Sequence, residues 1–177
     1  YALEEGGVWR VSCCGRSVEA QRGRRGVGGE ISLPCRAPDE CPRREDRSGT
    51  GQRGLWVGTA SSGLGRYENG AWRIFTPASS PLPHPSILSL CQTVSSDGRQ
   101  TLWIGTNNRG VSTFKDGRFR TYTTADGLSH NSIRTLYRDT KGTVWIGTNG
   151  GGLTWFRDGT FGRFTTKDGL SNDFAFG

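Results

Sequence analysis

The chain has 177 residues, a formal net charge of +7 and 28 glycines, with only 32% apolar residues. That length supports one domain with a core, but the lean, glycine-rich composition suits short strands and many turns rather than helices. No apolar run approaches the roughly 18 residues of a membrane-spanning helix, so no membrane contact is expected. The basic groups are scattered rather than blocked, which argues against a nucleic-acid partner.

Residue 1 is Tyr and the chain contains no Met. It reads as an internal piece of a longer protein, or a processed product. The opening YALEEGGVW overlays YRDTKGTVW, residues 137–145, placing Tyr1 on Tyr137 and Trp9 on Trp145. Residues 1–9 are therefore expected to end a preceding repeat. Residues 10–54 break that pattern and read as an irregular, degenerate or disordered segment rich in Arg, Gly, Pro and Cys. Two origins fit: a divergent insertion, or a shifted reading frame, which keeps length and loses pattern. Cys13, Cys14, Cys35 and Cys41 lie here, at spacings that match no common zinc or redox motif. No metal or other cofactor is expected.

From Leu55 the chain repeats itself. LWVGTASSGLGRYENGAWRIFT begins at Leu55, LWIGTNNRGVSTFKDGRFRTYT at Leu102 and VWIGTNGGGLTWFRDGTFGRFT at Val144. Trp56, Trp103 and Trp145 stand 47 and then 42 residues apart. The difference is placed as one extra residue between Phe75 and Leu82, and four in the SSDGRQ loop before Trp103. A period of this size marks a stacked repeat.

Within the second unit, strands are expected near 101–106, 111–115, 118–124 and 132–138. Asn69-Gly70, Asp116-Gly117 and Asp158-Gly159 sit between strand-like runs, as type I′ hairpin turns require. Gly63, Gly110 and Gly152, four residues after a repeated Thr, are expected at positive φ or at bulges. Asp126-Gly127 and Asp168-Gly169 mark the next turn. The strands carry apolar residues on both faces. Val144 and Ile146 point one way and Trp145 the other; Ile133 and Tyr137 oppose Leu136.

Four-stranded antiparallel sheets buried on both sides and repeated every 42–47 residues make an all-β fold of β-propeller blades. Units starting near 55, 102 and 144 give about two and a half to three blades over 55–177, an incomplete ring behind an irregular N-terminal region. The repeated aromatics read as inter-blade core. Trp155 is the exception, since Thr113 and Arg66 hold the matching positions.

The block [LV]-W-[IV]-G-T-x-x-x-G, followed by an aromatic, [DN]-G, F-x-x-[FY]-T and T-x-D-G-L-S, resembles the two-component regulator propeller repeat. TTADGLSHNSI at 123–133 is especially similar, whereas TPASSPLPHPSI at 76–87 lacks the D-G-L turn. The W-D pairs of WD40 repeats, the Gly-Gly pattern of kelch repeats and the dense Leu of leucine-rich repeats are absent. The resemblance implies a periplasmic or extracytoplasmic sensor region of a membrane-anchored bacterial regulator. The parent would be a histidine kinase or would carry another signalling output. The partners it implies are the remaining blades and signalling domains of that parent.

No catalytic constellation stands out. His84 and His130 align with each other and read as turn residues. The Asp residues of the D-G turns bond their own backbone. NGGG at 149–152 lacks the strand–loop–helix context of a phosphate loop. A propeller lyase would need a His/Glu metal cluster. The chain is not expected to be an enzyme. Two readings remain: a ligand-sensing input module for a small-molecule or glycan-type ligand, or a non-catalytic scaffold for protein interaction or homodimerisation. The triplets after the repeated Thr vary between units. They supply the candidate ligand-facing rim: Ser61, Ser62, Asn107, Asn108, Arg109, Asn149, Gly150 and Gly151.

Overall fold

The computed structural model describes residues 8–13, 16–21, 55–68 and 71–176. Three sheets account for the described strands. The first holds β1 (Val8–Cys13), β2 (Arg16–Gln21), β3 (Leu55–Thr59), β4 (Leu64–Glu68) and β5 (Ala71–Phe75) in the order β2-β1-β3-β4-β5. The second holds β6 (Ile87–Val94), β7 (Gln100–Thr106), β8 (Val111–Lys115) and β9 (Arg118–Tyr122) in sequence order. The third holds β10 (Ile133–Arg138), β11 (Val144–Thr148), β12 (Leu153–Arg157) and β13 (Thr160–Phe164), also in sequence order. All pairings within the sheets are antiparallel. These are β-propeller blades.

The blades are phased one strand away from the sequence units. The run near 132–138, expected to close the second unit's sheet, is β10. It pairs with β11 of the third blade, not with β9. The connections explain this. Five-residue turns, 95–99 and 139–143, join β6 to β7 and β10 to β11 and allow hairpins. The ten residues from 123 to 132 carry a 3-10 turn, Thr124–Asp126, and lead instead to the next blade.

The N-terminal strands revise a second expectation. Residues 1–9 were expected to end a preceding repeat, with Trp9 in the place of Trp145. β1 instead pairs with β3, Trp9 opposite Thr59, the place that β10 takes beside β11. Residues 10–54 were expected to be irregular; of these the structure describes 10–13 and 16–21, in β1 and β2. The physical cause is the backbone of β3, whose free edge of N–H and C=O groups needs a partner whatever the side chains are. The rest of that segment, the Asn69-Gly70 turn, Cys14, Cys35 and Cys41 lie outside the described residues.

The four extra residues of the second unit do not swell its loop. The turns 95–99 and 139–143 close with matching bonds: Ser95 N–H to Arg99 O and Gly98 N–H to Ser95 O, against Asp139 N–H to Thr143 O and Gly142 N–H to Asp139 O. The extra residues lengthen the β6–β7 hairpin, adding the pairs Thr93 with Thr101 and Val94 with Gln100. An even insertion, shared between two paired strands, keeps every side chain on its face.

Two apolar clusters glue the blades. Trp56, Leu64 and Phe75 of the first blade meet Ile87, Leu90, Leu102 and Ile104 of the second, with Phe114 and Phe119 alongside. Trp103 and Val111 of the second meet Ile133, Leu136, Val144 and Ile146 of the third, with Tyr122, Phe156 and Phe161 alongside. A register shift between Ile133 and Thr135 brings Ile133 and Leu136 into the same cluster, where strict alternation put them on opposite faces. The Gly of W-[IV]-G-T gives the next blade room. A methyl on Gly58 would strike Ile87, and one on Gly105 would strike Ile133.

Candidate functional site

The variable triplets follow a repeated clasp. The Thr hydroxyl donates to the carbonyl four residues on: Thr59 to Gly63 at 2.9 Å, Thr106 to Gly110 at 2.7 Å and Thr148 to Gly152 at 2.8 Å. The backbone closes the same way, each Thr N–H reaching the same Gly oxygen. Gly63, Gly110 and Gly152 sit at φ +90°, +82° and +79°. A side chain there would run into the carbonyl oxygen of Phe75, Tyr122 or Phe164 respectively. The motif T-x-x-x-G is thus a strand-to-strand joint that presents three residues.

Each joint is also bonded to the connectors between blades. Gly63 N–H donates to Pro85 O, Gly110 N–H to Asn131 O and Gly152 N–H to Asp173 O. Asn107 N–H donates back to Ser86 O, and Asn149 N–H to Ser132 O. The triplets and the connectors therefore share one end of the blades.

The connectors are held by repeated polar contacts. Asp126 takes the N–H and the hydroxyl of Thr123, and Asp168 takes those of Thr165. These bonds, backbone first, hold the Asp168 carboxyl below its ordinary range. In the first unit Ser79 replaces the acid: its Oγ accepts the Thr76 N–H at 3.0 Å. Leu82 is buried like Leu128, so this connector keeps its form without the D-G-L turn. His84 Nδ1 accepts from Ser86 N–H, and His130 Nδ1 from Ser132 N–H, both at 3.0 Å. Asn172 does the same for Phe174 N–H in the third unit. The histidines are turn residues, as their alignment implied.

The structure sorts the rim residues. Ser61, Ser62, Asn108 and Arg109 are exposed. Asn108 adopts φ +64°. Asn107 is half-buried, its side-chain oxygen 3.5 Å from the Ser132 hydroxyl. Gly151 lies in the joint between blades, where any side chain would strike Ser129 and His130. Gly150, at φ +99°, lies beside the Phe174 ring. Asn149 bridges to Phe174 as well. The three triplets thus offer an open hydroxyl pair, an amide with a guanidinium, and an exposed Gly150 beside a packed Gly151.

Sequence reasoning missed a cleft of about 560 Å³ between the outer strands of the second blade and the third. Trp103, Tyr122 and Phe156 supply aromatic surface, and Lys115, Arg118 and Arg120 supply positive charge around the one carboxylate of Asp116. The Arg120 guanidinium sits 4.6 Å from the Tyr122 ring centre, within cation–π range. Its residues come from separate strands, so no local motif announces it. Cys91 is no nucleophile here, because burial pushes its thiol up to about 11. Among the described residues no cluster of three or more His, Cys, Asp or Glu could hold a metal. No described helix is long and apolar enough to cross a membrane.

Residues 127–150 match the family model of the two component regulator propeller. A solved structure, the extracellular domain of a hybrid two component system from B. thetaiotaomicron, aligns with a TM-score of 0.57 and 29% sequence identity. The alignment covers 72% of this chain and 17% of that one, so the chain spans less than a fifth of that neighbour's length. A search of curated proteins finds no match.

Proposed function

We propose that these blades are two-component regulator propeller repeats, a reading supported by the match of residues 127–150 and by the 29% identical neighbour, and that the chain is part of an extracytoplasmic, ligand-sensing input region of a membrane-anchored two-component regulator. The observation that carries the reading is the division of labour within each repeat. The clasp, the hairpin turns and the inter-blade aromatics repeat, while the exposed triplet residues at one end do not. A framework that repeats under loops that vary is how a fold carries a site. The chain takes no part in phosphotransfer in this reading; that chemistry belongs to the parent's other domains. Ser61, Ser62, Asn108 and Arg109 are the open polar groups, suited to hydroxyl-rich or anionic small molecules and glycans.

The test is thermal melting and calorimetric titration of the full chain against neutral and acidic oligosaccharides and small metabolites. The reading expects at least one compound to bind saturably. Replacing Asn108 by Gly, which keeps the φ of +64°, and Arg109 by Ala should weaken that binding at least tenfold without lowering the ligand-free melt. A panel with no binder, or a binder indifferent to both triplet residues and the Arg120 cleft, would sink it.

A further inference from the structure

The face that one blade turns to the next carries the same cross-strand ladder with different side chains. On the first blade Arg66 stands opposite Arg73, and Glu68 opposite Ala71, across β4 and β5. On the second, Thr113 stands opposite Arg120, and Lys115 opposite Arg118, across β8 and β9. At the first junction the Arg66 guanidinium lies 5.2 Å from the Trp56 ring centre and is neutralised by Glu68 at 2.9 Å. That junction covers its Trp and carries its own counter-charge.

The second junction has lost both features. Thr113 is a short side chain in the place of Arg66, and Lys115 reverses the charge in the place of Glu68. This is where the cleft of about 560 Å³ opens, lined by Trp103 and Tyr122 of the second blade and Phe156 of the third. Both of its walls lie within the array. Among the described residues no carboxylate forms an ion pair with Lys115, Arg118 or Arg120. Asp116, the carboxylate on the cleft, is met instead by Arg99 at 3.9 Å. Arg120 is held over the Tyr122 ring at 4.6 Å. A guanidinium already fixed on a ring loses little freedom on meeting a carboxylate.

We propose that this cleft binds a small aromatic carboxylate, its ring among Trp103, Tyr122 and Phe156 and its carboxylate on the guanidiniums of Arg120 and Arg118. The ligand supplies the counter-charge that Glu68 supplies at the first junction, and its ring takes the space that Arg66 fills there. Aromatic walls favour a ring in an offset or edge-on arrangement. Aromatic lining with a few converging polar groups, in a volume between roughly 300 and 1,000 Å³, is the usual form of a small-molecule site. The cleft lies toward the Asp116-Gly117 turn, whereas the triplet 107–109 lies at the other end of β8. It is a second site, separate from the rim, and does not rest on the sensing reading.

The test is calorimetric titration of the full chain with indole-3-acetate, its uncharged amide, acetate and glucuronate. Indole-3-acetate should bind saturably, one per chain. The amide lacks the charge and acetate lacks the ring, so each should bind at least tenfold more weakly, as should glucuronate. Arg120→Gln, at an exposed residue, should weaken indole-3-acetate at least tenfold. The double variant Thr113→Arg with Lys115→Glu copies Arg66 and Glu68 of the first blade, and should abolish binding while keeping β-type circular dichroism. Asn108→Gly with Arg109→Ala should leave binding within about twofold. No saturable binding of indole-3-acetate to wild type overturns the proposal. So does equal binding of the amide or of acetate, or tighter binding of glucuronate, which would show that the cleft does not read a charged ring. Wild-type affinity in both cleft variants, or a tenfold loss in the triplet variant, would place the compound elsewhere and overturn it too. The triplet variant therefore separates failure of this site from failure of the rim.

Discussion

The indole of Trp155 lies directly against Gly162 on the neighbouring strand, where any side chain would collide with it. The pair is a matched substitution. The same cross-strand position holds Arg66 with Arg73 in the first blade and Thr113 with Arg120 in the second. There the guanidiniums of Arg66, Arg73 and Arg120 cover Trp56, Phe75 and Tyr122. In the third blade the Trp itself fills the space, and Gly makes room. Gly162→Ala should therefore cost about 1–3 kcal/mol, the usual effect of overpacking. Gly162→Arg should cost more alone than with Trp155→Thr, since the double change copies Thr113 and Arg120. Urea melts followed by circular dichroism would measure this; equal midpoints for Gly162→Ala and wild type would refute it.

The threonine clasp makes a second prediction. Thr106 is fully buried, and its hydroxyl bonds to Gly110 O at 2.7 Å. Thr106→Val keeps the shape and loses that bond, while Gly110 O keeps the Thr106 N–H. The expected cost is that of one hydrogen bond, about 0.5–1.5 kcal/mol. Gly110→Ala should cost more than Thr106→Val, because its φ is +82° and the Tyr122 carbonyl occupies the space a methyl needs. A reversal of that order would show that the hydroxyl, not the backbone, sets the joint.

Much of this was legible because the repeat writes each feature more than once. The positive φ of Gly63, Gly110 and Gly152 followed from glycine at matching places, as did the Asp116-Gly117 and Asp158-Gly159 turns. The blade phase was not legible. A strand's partner depends on whether the next connection is a five-residue turn or a ten-residue connector, and both kinds look turn-like in sequence. The Ile133–Leu136 alignment was hidden by a bulge that alternation cannot foresee. The rim was legible as variation but not as exposure. Gly151 varies because it is packed against Ser129 and His130, whereas Asn108 and Arg109 vary in the open. The cleft at Arg120 needs residues from separate strands and two blades, so only the fold assembles it.

His130 should behave as a backbone mimic. Its Nδ1 accepts the Ser132 N–H, and Asn172 does that work in the next connector. His130→Asn should leave the melt within about 0.5 kcal/mol of wild type. His130→Ala should cost about 0.5–1.5 kcal/mol through the lost acceptor. Thermal melts at neutral pH would distinguish these. Equal losses for Asn and Ala would mean that the ring's bulk, not its nitrogen, holds the turn.

Asp139 ties its turn to the third blade's Trp. Its carboxylate accepts the Trp145 indole N–H at 3.0 Å and the N–H groups of Lys141 and Thr143 at 2.9 Å. The indole bond is the largest cause holding this carboxyl below its ordinary range, with the backbone donors adding to it against some desolvation. A depressed folded-state value means that the ionised form stabilises the fold. That contribution is complete above the unfolded value of about 3.9, and is lost as pH falls through the lower folded value. The difference in urea midpoint between wild type and Asp139→Asn should therefore be steady from pH 7 to 5 and shrink below about pH 4. Trp103 supplies the contrast, because its indole donates to the neutral hydroxyl of Thr93 at 3.2 Å. The midpoint difference for Thr93→Val should stay flat across the same range. A flat difference for Asp139→Asn would show that the carboxylate's charge contributes nothing to the joint.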